Sequence, residues 1–199
     1  MSFFIGKRKV GSKNLPLIIA EIGINHNGDI NIALNLVQAA SNAGADIVKF
    51  QTFNADSFVT NKAQKTEYQI KNSPIYGETQ KEMLKKLELS FDEHQLIKKK
   101  CDQLGIEFLS TAFDSNSLSF LNRLGLKRYK IPSGEITNLP YIREIASFGK
   151  PIIMSTGMAT MSEIKNAFDA LRNCGIQKEH ITILQCTSAY PTPLDEINL

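Results

Sequence analysis

Cysteine is scarce in this chain. Cys101, Cys174 and Cys186 are its three cysteines and no C-x-x-C spacing occurs, which argues against a disulfide framework or a thiolate zinc site. An excess of one charge is missing too. Lys and Arg number 23 against 20 Asp and Glu, a net charge of +3. That balance is too mild to point to nucleic acid, though it suits small anionic substrates. The run Lys98-Lys99-Lys100 reads as a solvated helix face. Long apolar runs are also lacking. The opening MSFFIGKRKVG has no apolar core of signal-peptide length, and no later run approaches membrane-spanning length. A cytoplasmic protein with no membrane partner is expected. No G-x-G-x-x-G follows any expected strand, which weakens a dinucleotide-binding reading.

What is present is a 42% hydrophobic chain, enough for a real core, laid out as alternating strands and helices. Residues 3–15 alternate around Gly6 and Gly11 and predict a hairpin, a first domain over 1–16 that caps one end of the fold. Residues 17–23 form a near-continuous apolar run, as in a strand covered on both faces. Asp29 caps a helix whose apolar face is Ile30, Ala33, Leu34, Val37 and Ala40. A second strand spans 46–51, and a long polar insertion over about 54–78 reads as a lid or binding loop. Thr79-x-x-Glu82 and Ser90-x-x-Glu93 are capping boxes that predict helices near 80–88 and 91–104. Leu96, Ile97 and Leu104 are expected to face inward on the second. Strands follow at 106–111, 128–132, 151–155 and 181–186, with helices at 115–124, 139–147 and, after the capping box Thr160-x-x-Glu163, up to Asn173.

Six alternations predict an α/β fold with a parallel sheet, either a (β/α)8 TIM barrel or a doubly wound sheet. Polar groups end nearly every strand: Glu21, Lys49 and Gln51, Ser110 and Thr111, Lys130 and Ser133, Ser155 and Thr156, Cys186 and Thr187. A barrel collects its functional groups from many strands on that rim, so the barrel is favoured, over 17–199. Only about six of its eight βα units are read here, so strands seven and eight are expected from a longer protein or another chain. The densest rim stretch is Leu126 to Gly157. One strand end delivers Lys130, Ser133, Gly134 and Glu135, and the next delivers Ser155, Thr156 and Gly157. A cation, hydroxyls and flexible backbone amides at one sheet edge suit a phosphate or carboxylate ligand.

In this order along the chain stand AEIGINHNG from Ala20, VKFQT from Val48, LSTAFD from Leu109, YKIPSGE from Tyr129, MSTGMA from Met154 and CTSAYPTP from Cys186. The ordered set resembles the N-acetylneuraminate (sialic acid) synthase family, which includes legionaminic-acid-type synthases. The resemblance implies a (β/α)8 barrel followed by an antifreeze-like domain that completes a partner subunit's site in a homodimer. It implies a carbon–carbon bond-forming transferase of carbohydrate biosynthesis. Such an enzyme condenses phosphoenolpyruvate with an N-acylated hexosamine, such as N-acetylmannosamine, to give a nonulosonic acid and phosphate. A divalent manganese or magnesium ion that polarises the sugar aldehyde is implied as well. The family's two histidine ligands lie beyond Tyr190-Pro191, on segments this chain lacks, so no metal ligand is assigned and the 199 residues alone are expected to be inactive.

Carried over residue by residue, the resemblance makes Lys49 and Lys130 phosphoenolpyruvate contacts. The other reading of each lysine is an ion pair filling the interior. Ser133 and Ser155 match phosphate or carboxylate contacts, with Gly134 and Gly157 permitting close backbone approach. Glu21 matches a sugar-binding carboxylate. Glu135 matches a glutamate near the reacting centre, where it activates water or shuttles its proton, or else pairs with Lys49 or Lys130. His26 falls in the first rim loop, Ser188 stands where some members have Asn, and Tyr190 is either a substrate contact or packing. Gln185 replaces a histidine often found before the cysteine. His94 and His180 are read as structural. Two rival functions remain: a Schiff-base aldolase using Lys49 or Lys130, and a non-catalytic, truncated anion-binding subunit.

Overall fold

The computed structural model describes residues 2–5, 8–11, 13–66, 69, 70, 75, 77–188 and 192–197. Its core is α/β with parallel strands, and the chain divides into two compact units, Ile18–Leu124 and Met1–Leu17 with Gly125–Leu199.

In the unit over 18–124, β3 (Ile19–Gly23), β4 (Ile47–Thr52) and β5 (Glu107–Ala112) form a parallel sheet in that order. Side chains alternate across it. Val48, Phe50 and Thr52 lie on one face with Phe108 and Ser110, while Lys49 and Gln51 lie on the other with Leu109 and Thr111. The first face is covered by helices α1 (Ile30–Asn42) and α4 (Phe91–Leu104), which pack on each other. α1 begins where the Asp29 carboxylate accepts from the Asn31 amide at 2.7 Å, and it buries Ala33 and Val37. The capping boxes at Thr79 and Ser90 are both formed, opening α3 (Gln80–Lys85) and α4. Asp114 caps α5 (Ser115–Arg123).

Two expectations are corrected in this unit. Leu96 does not face inward but is 52% exposed; the buried stripe of α4 is His94, Ile97 and Cys101. The insertion read as a loop over 54–78 contains a short helix, α2 (Ala55–Phe58). Its N-cap Asn54 accepts from the Ser57 amide, while the Glu88 carboxylate, far along the chain, accepts from Ala55 N at 3.1 Å and from Asn54 Nδ2 at 3.2 Å. A satellite core of Phe53, Ala55, Met83 and Leu84, flanked by Phe58 and Phe113, holds α2 and α3 together. The far end of the insertion is fastened by charge. Glu78 receives Lys65 at 2.9 Å and Lys86 at 2.6 Å, and Lys65 also donates to the Ile75 carbonyl.

In the other unit, β6 (Tyr129–Ile131), β7 (Ile152–Ser155) and β8 (Ile181–Leu184) form a second parallel sheet in that order. β6 and β7 are buried throughout, whereas β8 is only half buried. α6 (Leu139–Ser147) and α7 (Met161–Asn173) pack against each other, burying Ile142, Ile145, Ala167 and Leu171. The Thr160 capping box opens α7 as expected. The predicted hairpin is β1 (Ser2–Ile5) with β2 (Arg8–Gly11), antiparallel, with β1 beside the Lys178–His180 turn. Among the described residues no helix is long and apolar enough to cross a membrane.

Candidate active site

The C-terminal ends of β3 and β4 carry the first group of candidate residues. Glu21 and Lys49 are register partners, and Glu21 Oε2 lies 2.5 Å from Lys49 Nζ. After Glu21 the register shifts, leaving Ile22 as an extra residue before Gly23 pairs with Phe50. Such a bulge re-aims the strand end. Gly23 has φ +56, and a Cβ there would stand 3.2 Å from Glu21 Oε1, so the glycine both turns the chain and leaves room for the carboxylate. Gln51 and Thr111 share the Lys49 face of the sheet.

His26 sits in the turn that follows β3 and is 1% exposed, its ring stacked on Phe50. The Gly28 amide donates to its Nδ1 at 3.0 Å, which places the neutral ring's proton on Nε2. Burial, reinforced by the neighbouring charge of His94, pushes the His26 pKa down.

On the Phe50 face of the same sheet, away from Lys49, lies a polar chain built on His94. His94 Nδ1 meets the Ser90 carbonyl at 2.9 Å, and a carbonyl only accepts, so Nδ1 carries the hydrogen. Nε2 then accepts from the Thr52 hydroxyl at 2.9 Å, and Thr52 accepts from Ser110 at 2.7 Å. Burial holds the His94 pKa below its ordinary value. His94 is therefore structural, as its helical position suggested, and it ties α4 to the ends of β4 and β5.

The ends of β6 and β7 carry the second group. Lys130 is buried, 8% exposed, and donates to the Ile131 carbonyl at 3.0 Å and to the Ser155 hydroxyl. Ser133 Oγ accepts from the Gly157 amide at 2.9 Å. A Cβ on Gly157 would lie 2.6 Å from Ser188 Oγ and 3.1 Å from Ser133 Oγ, so this glycine is what lets the two serines close on the strand end. Thr156 Oγ1 donates to the Leu184 carbonyl at 2.8 Å, tying β7 to β8. Nothing lies within 4 Å of where a Gly134 Cβ would sit. Glu135 ends the short Ser133–Glu135 turn and accepts from Asn138 Nδ2 at 2.7 Å. Tyr190 lies outside the described residues.

Lys49 is paired with Glu21, and Lys130 joins Ser155. Ser133, Gly157 and Ser188 form one cluster, while Glu135 faces a neighbour the sequence reading had not singled out. Its signal was nonetheless local, because an Asn directly before an apolar helical run marks a cap.

The described residues do not fit the metal that the resemblance implies. Among them no three His, Cys, Asp or Glu converge as a metal site. Both ring nitrogens of His94 are engaged, and His180 lies on an exposed turn.

Residues 36–199 match the profile of the NeuB family. The chain is 50% identical over 186 residues to the N,N'-diacetyllegionaminic acid synthase of Campylobacter jejuni, covering 92% of this chain and 54% of that protein. It is 48% identical over 196 residues to the N,N'-diacetyllegionaminic acid synthase of Legionella pneumophila, covering 98% and 55%. In structure it is similar to the N-acetylneuraminic acid (sialic acid) synthetase of Leptospira borgpetersenii solved in complex with citrate. The TM-score is 0.81 at 30% identity, covering all of this chain and 63% of that one. The chain therefore spans about half the length of the curated relatives it matches.

Proposed function

Because the chain belongs to the NeuB family, we propose that it forms the phosphoenolpyruvate-binding part of a nonulosonic acid synthase. β3 to β8 are then six of the eight strands of a (β/α)8 barrel, whose rim carries the chemistry. The observation that carries this reading is the strand-end cluster of Lys130, Ser155, Ser133 and the Gly157 amide. It combines a buried cation and a hydroxyl at strand ends with a second hydroxyl and a backbone amide in the turns that follow, the groups an anionic substrate requires.

In the reaction proposed, C3 of phosphoenolpyruvate attacks the aldehyde carbon of the sugar, and the enol electron pair becomes the new carbon–carbon bond while the carbonyl π pair moves to the aldehyde oxygen, which takes up a proton. Positive charge develops at C2 and is shared with the bridging ester oxygen. Water adds at C2, losing a proton, and the bridging C–O bond then breaks as the new hydroxyl gives up its remaining proton, so that phosphate leaves with that oxygen and a 2-keto acid remains. Lys130, Ser133 and Ser155 hold the phosphate and carboxylate. Glu21 accepts from sugar hydroxyls, and Glu135 takes the proton of the attacking water. Phosphoenolpyruvate contributes three carbons and no nitrogen. A product with two N-acetyl groups, like that in the names of the two bacterial relatives, must draw both from the acceptor. The acceptor proposed is therefore a di-N-acetylated hexosamine.

A Schiff-base aldolase is less well supported. Lys49 and Lys130 are engaged as ammonium donors, one to a carboxylate and the other to a carbonyl and a hydroxyl, whereas imine formation needs a free amine.

The test uses the natural full-length protein with phosphoenolpyruvate carrying 18O in the bridging position. Release of labelled phosphate that depends on the acceptor supports the reading. Borohydride-trapped pyruvate on a lysine would favour the aldolase, and binding without turnover would favour a non-catalytic subunit.

A further inference from the structure

Asn138 follows Glu135 by three residues and is the N-cap of α6. Its side chain is committed at both ends. The Tyr141 amide can only donate, so the atom that meets it at 3.2 Å is the Asn138 carbonyl oxygen, Oδ1. The planar amide then has its NH2 turned the other way, where Nδ2 donates to Glu135 Oε2 at 2.7 Å. A third tie comes from the backbone, Asn138 N–H to the Glu135 carbonyl at 3.0 Å. The helix that anchors this amide is itself fixed in the core through Tyr141, Ile142, Ile145 and Ala146.

We propose that Asn138 is the positioning residue of Glu135. It dedicates Oε2 to a hydrogen bond, sets the plane of the carboxylate, and leaves Oε1 to take the proton from the water that adds to phosphoenolpyruvate. A carboxylate at the end of a short, half-buried turn has several rotamers open to it. A donor whose own orientation is dictated by a helix amide selects one of them. The inference rests on the reading of Glu135 as the base.

Three substitutions separate positioning from helix capping. Asn138→Asp keeps the cap acceptor but turns a second carboxylate on Glu135. Asn138→Ser keeps a cap acceptor with no group that reaches Glu135. Asn138→Ala removes both. Asn, Asp and Ser rank together as caps and Ala falls well below them. A purely structural Asn138 therefore predicts that Asp and Ser match wild type in melting temperature and in turnover, with Ala alone deficient.

The positioning role predicts a crossed pattern. Ser melts like wild type and Asp loses no more than its repulsion with Glu135 costs, yet in both kcat falls about 10- to 100-fold with little change in the KM for phosphoenolpyruvate. Asp additionally moves the acid limb of the kcat profile upward by about one pH unit, because two carboxylates sharing a site do not ionise independently.

The natural full-length protein is assayed beside Glu135→Gln. In the Glu135→Gln background, Asn138→Asp should have no further effect on kcat. If Glu135→Gln keeps wild-type turnover, or the natural protein has no synthase activity, the reading of Glu135 as base falls and the inference with it. If Glu135→Gln is inactive while Asn138→Asp keeps both the rate and the pH profile, only the positioning role is overturned.

Discussion

Glu21 and Lys49 are opposite one another in register on adjacent parallel strands, with Oε2 and Nζ 2.5 Å apart. The lysine side chain is 12% exposed and the glutamate 50%, so water screens much of the pair's attraction. Pairs this open contribute about 0.2–1 kcal/mol. What they can do well is hold a cation and a carboxylate in fixed directions for a ligand that uses both. Glu21→Gln should therefore shift urea-unfolding stability by less than about 1 kcal/mol while lowering kcat/KM for the acceptor sugar at least about tenfold. Urea titrations beside steady-state kinetics check this. A stability loss large enough to explain the activity loss would instead make the pair structural.

Gly157→Ala tests the second cluster. Its Cβ would press on Ser188 Oγ at 2.6 Å and Ser133 Oγ at 3.1 Å. Overpacking of this kind costs about 1–3 kcal/mol, so the melting temperature should fall. Affinity for phosphoenolpyruvate should fall more than packing alone explains, because Ser133 loses its place against the Gly157 amide. Adding Ser188→Gly removes the nearer clash and should restore part of the melting temperature. Thermal melts with and without phosphoenolpyruvate measure both effects.

His94 gives the fold a pH dependence whose sign follows from its burial. Its folded pKa lies below the ordinary 6.5, so the unfolded chain takes up the proton first as pH falls. The contribution is fully present above about pH 6.5 and is lost progressively below it, as pH falls toward the depressed folded value. His26, also lowered by burial, acts in the same direction. His94→Gln should cost about 1–3 kcal/mol at pH 7.5 by stranding Thr52 or Ser90, and it should flatten the fall in stability between pH 7 and 5. Urea midpoints at a series of pH values give the answer; an unchanged slope removes His94 from the account.

Much of this was legible in the sequence, and where it was not the cause is distance along the chain. The capping boxes at Thr79, Ser90 and Thr160 formed as read because every partner lies three residues away. Lys49, Lys130, Ser133 and Ser155 could be placed at strand ends because apolar runs mark where strands stop. That Lys49 would face Glu21 depended on the register of two strands, which no local pattern encodes. Leu96 was assigned inward on hydrophobicity alone. The neighbouring stripe belongs to His94, whose burial is compensated by Thr52, 42 residues earlier. α2 is hard to read for a related reason, since beside its local Asn54 cap its first amide depends on Glu88, 33 residues beyond Ala55.

The Lys65–Glu78–Lys86 fastening has a consequence for how this protein can change. Lys65 and Glu78 are 13 positions apart in sequence and 2.9 Å apart in space, so their ion pair closes the intervening stretch into a loop. Doubling the length of such a loop adds only about 0.6 kcal/mol of closure entropy. Added length between the two anchors therefore carries little closure penalty, as long as the lysine and the glutamate stay. Divergence among descendants of this chain has a tolerant place to accumulate there, apart from the strand ends that carry the charged and hydroxyl groups.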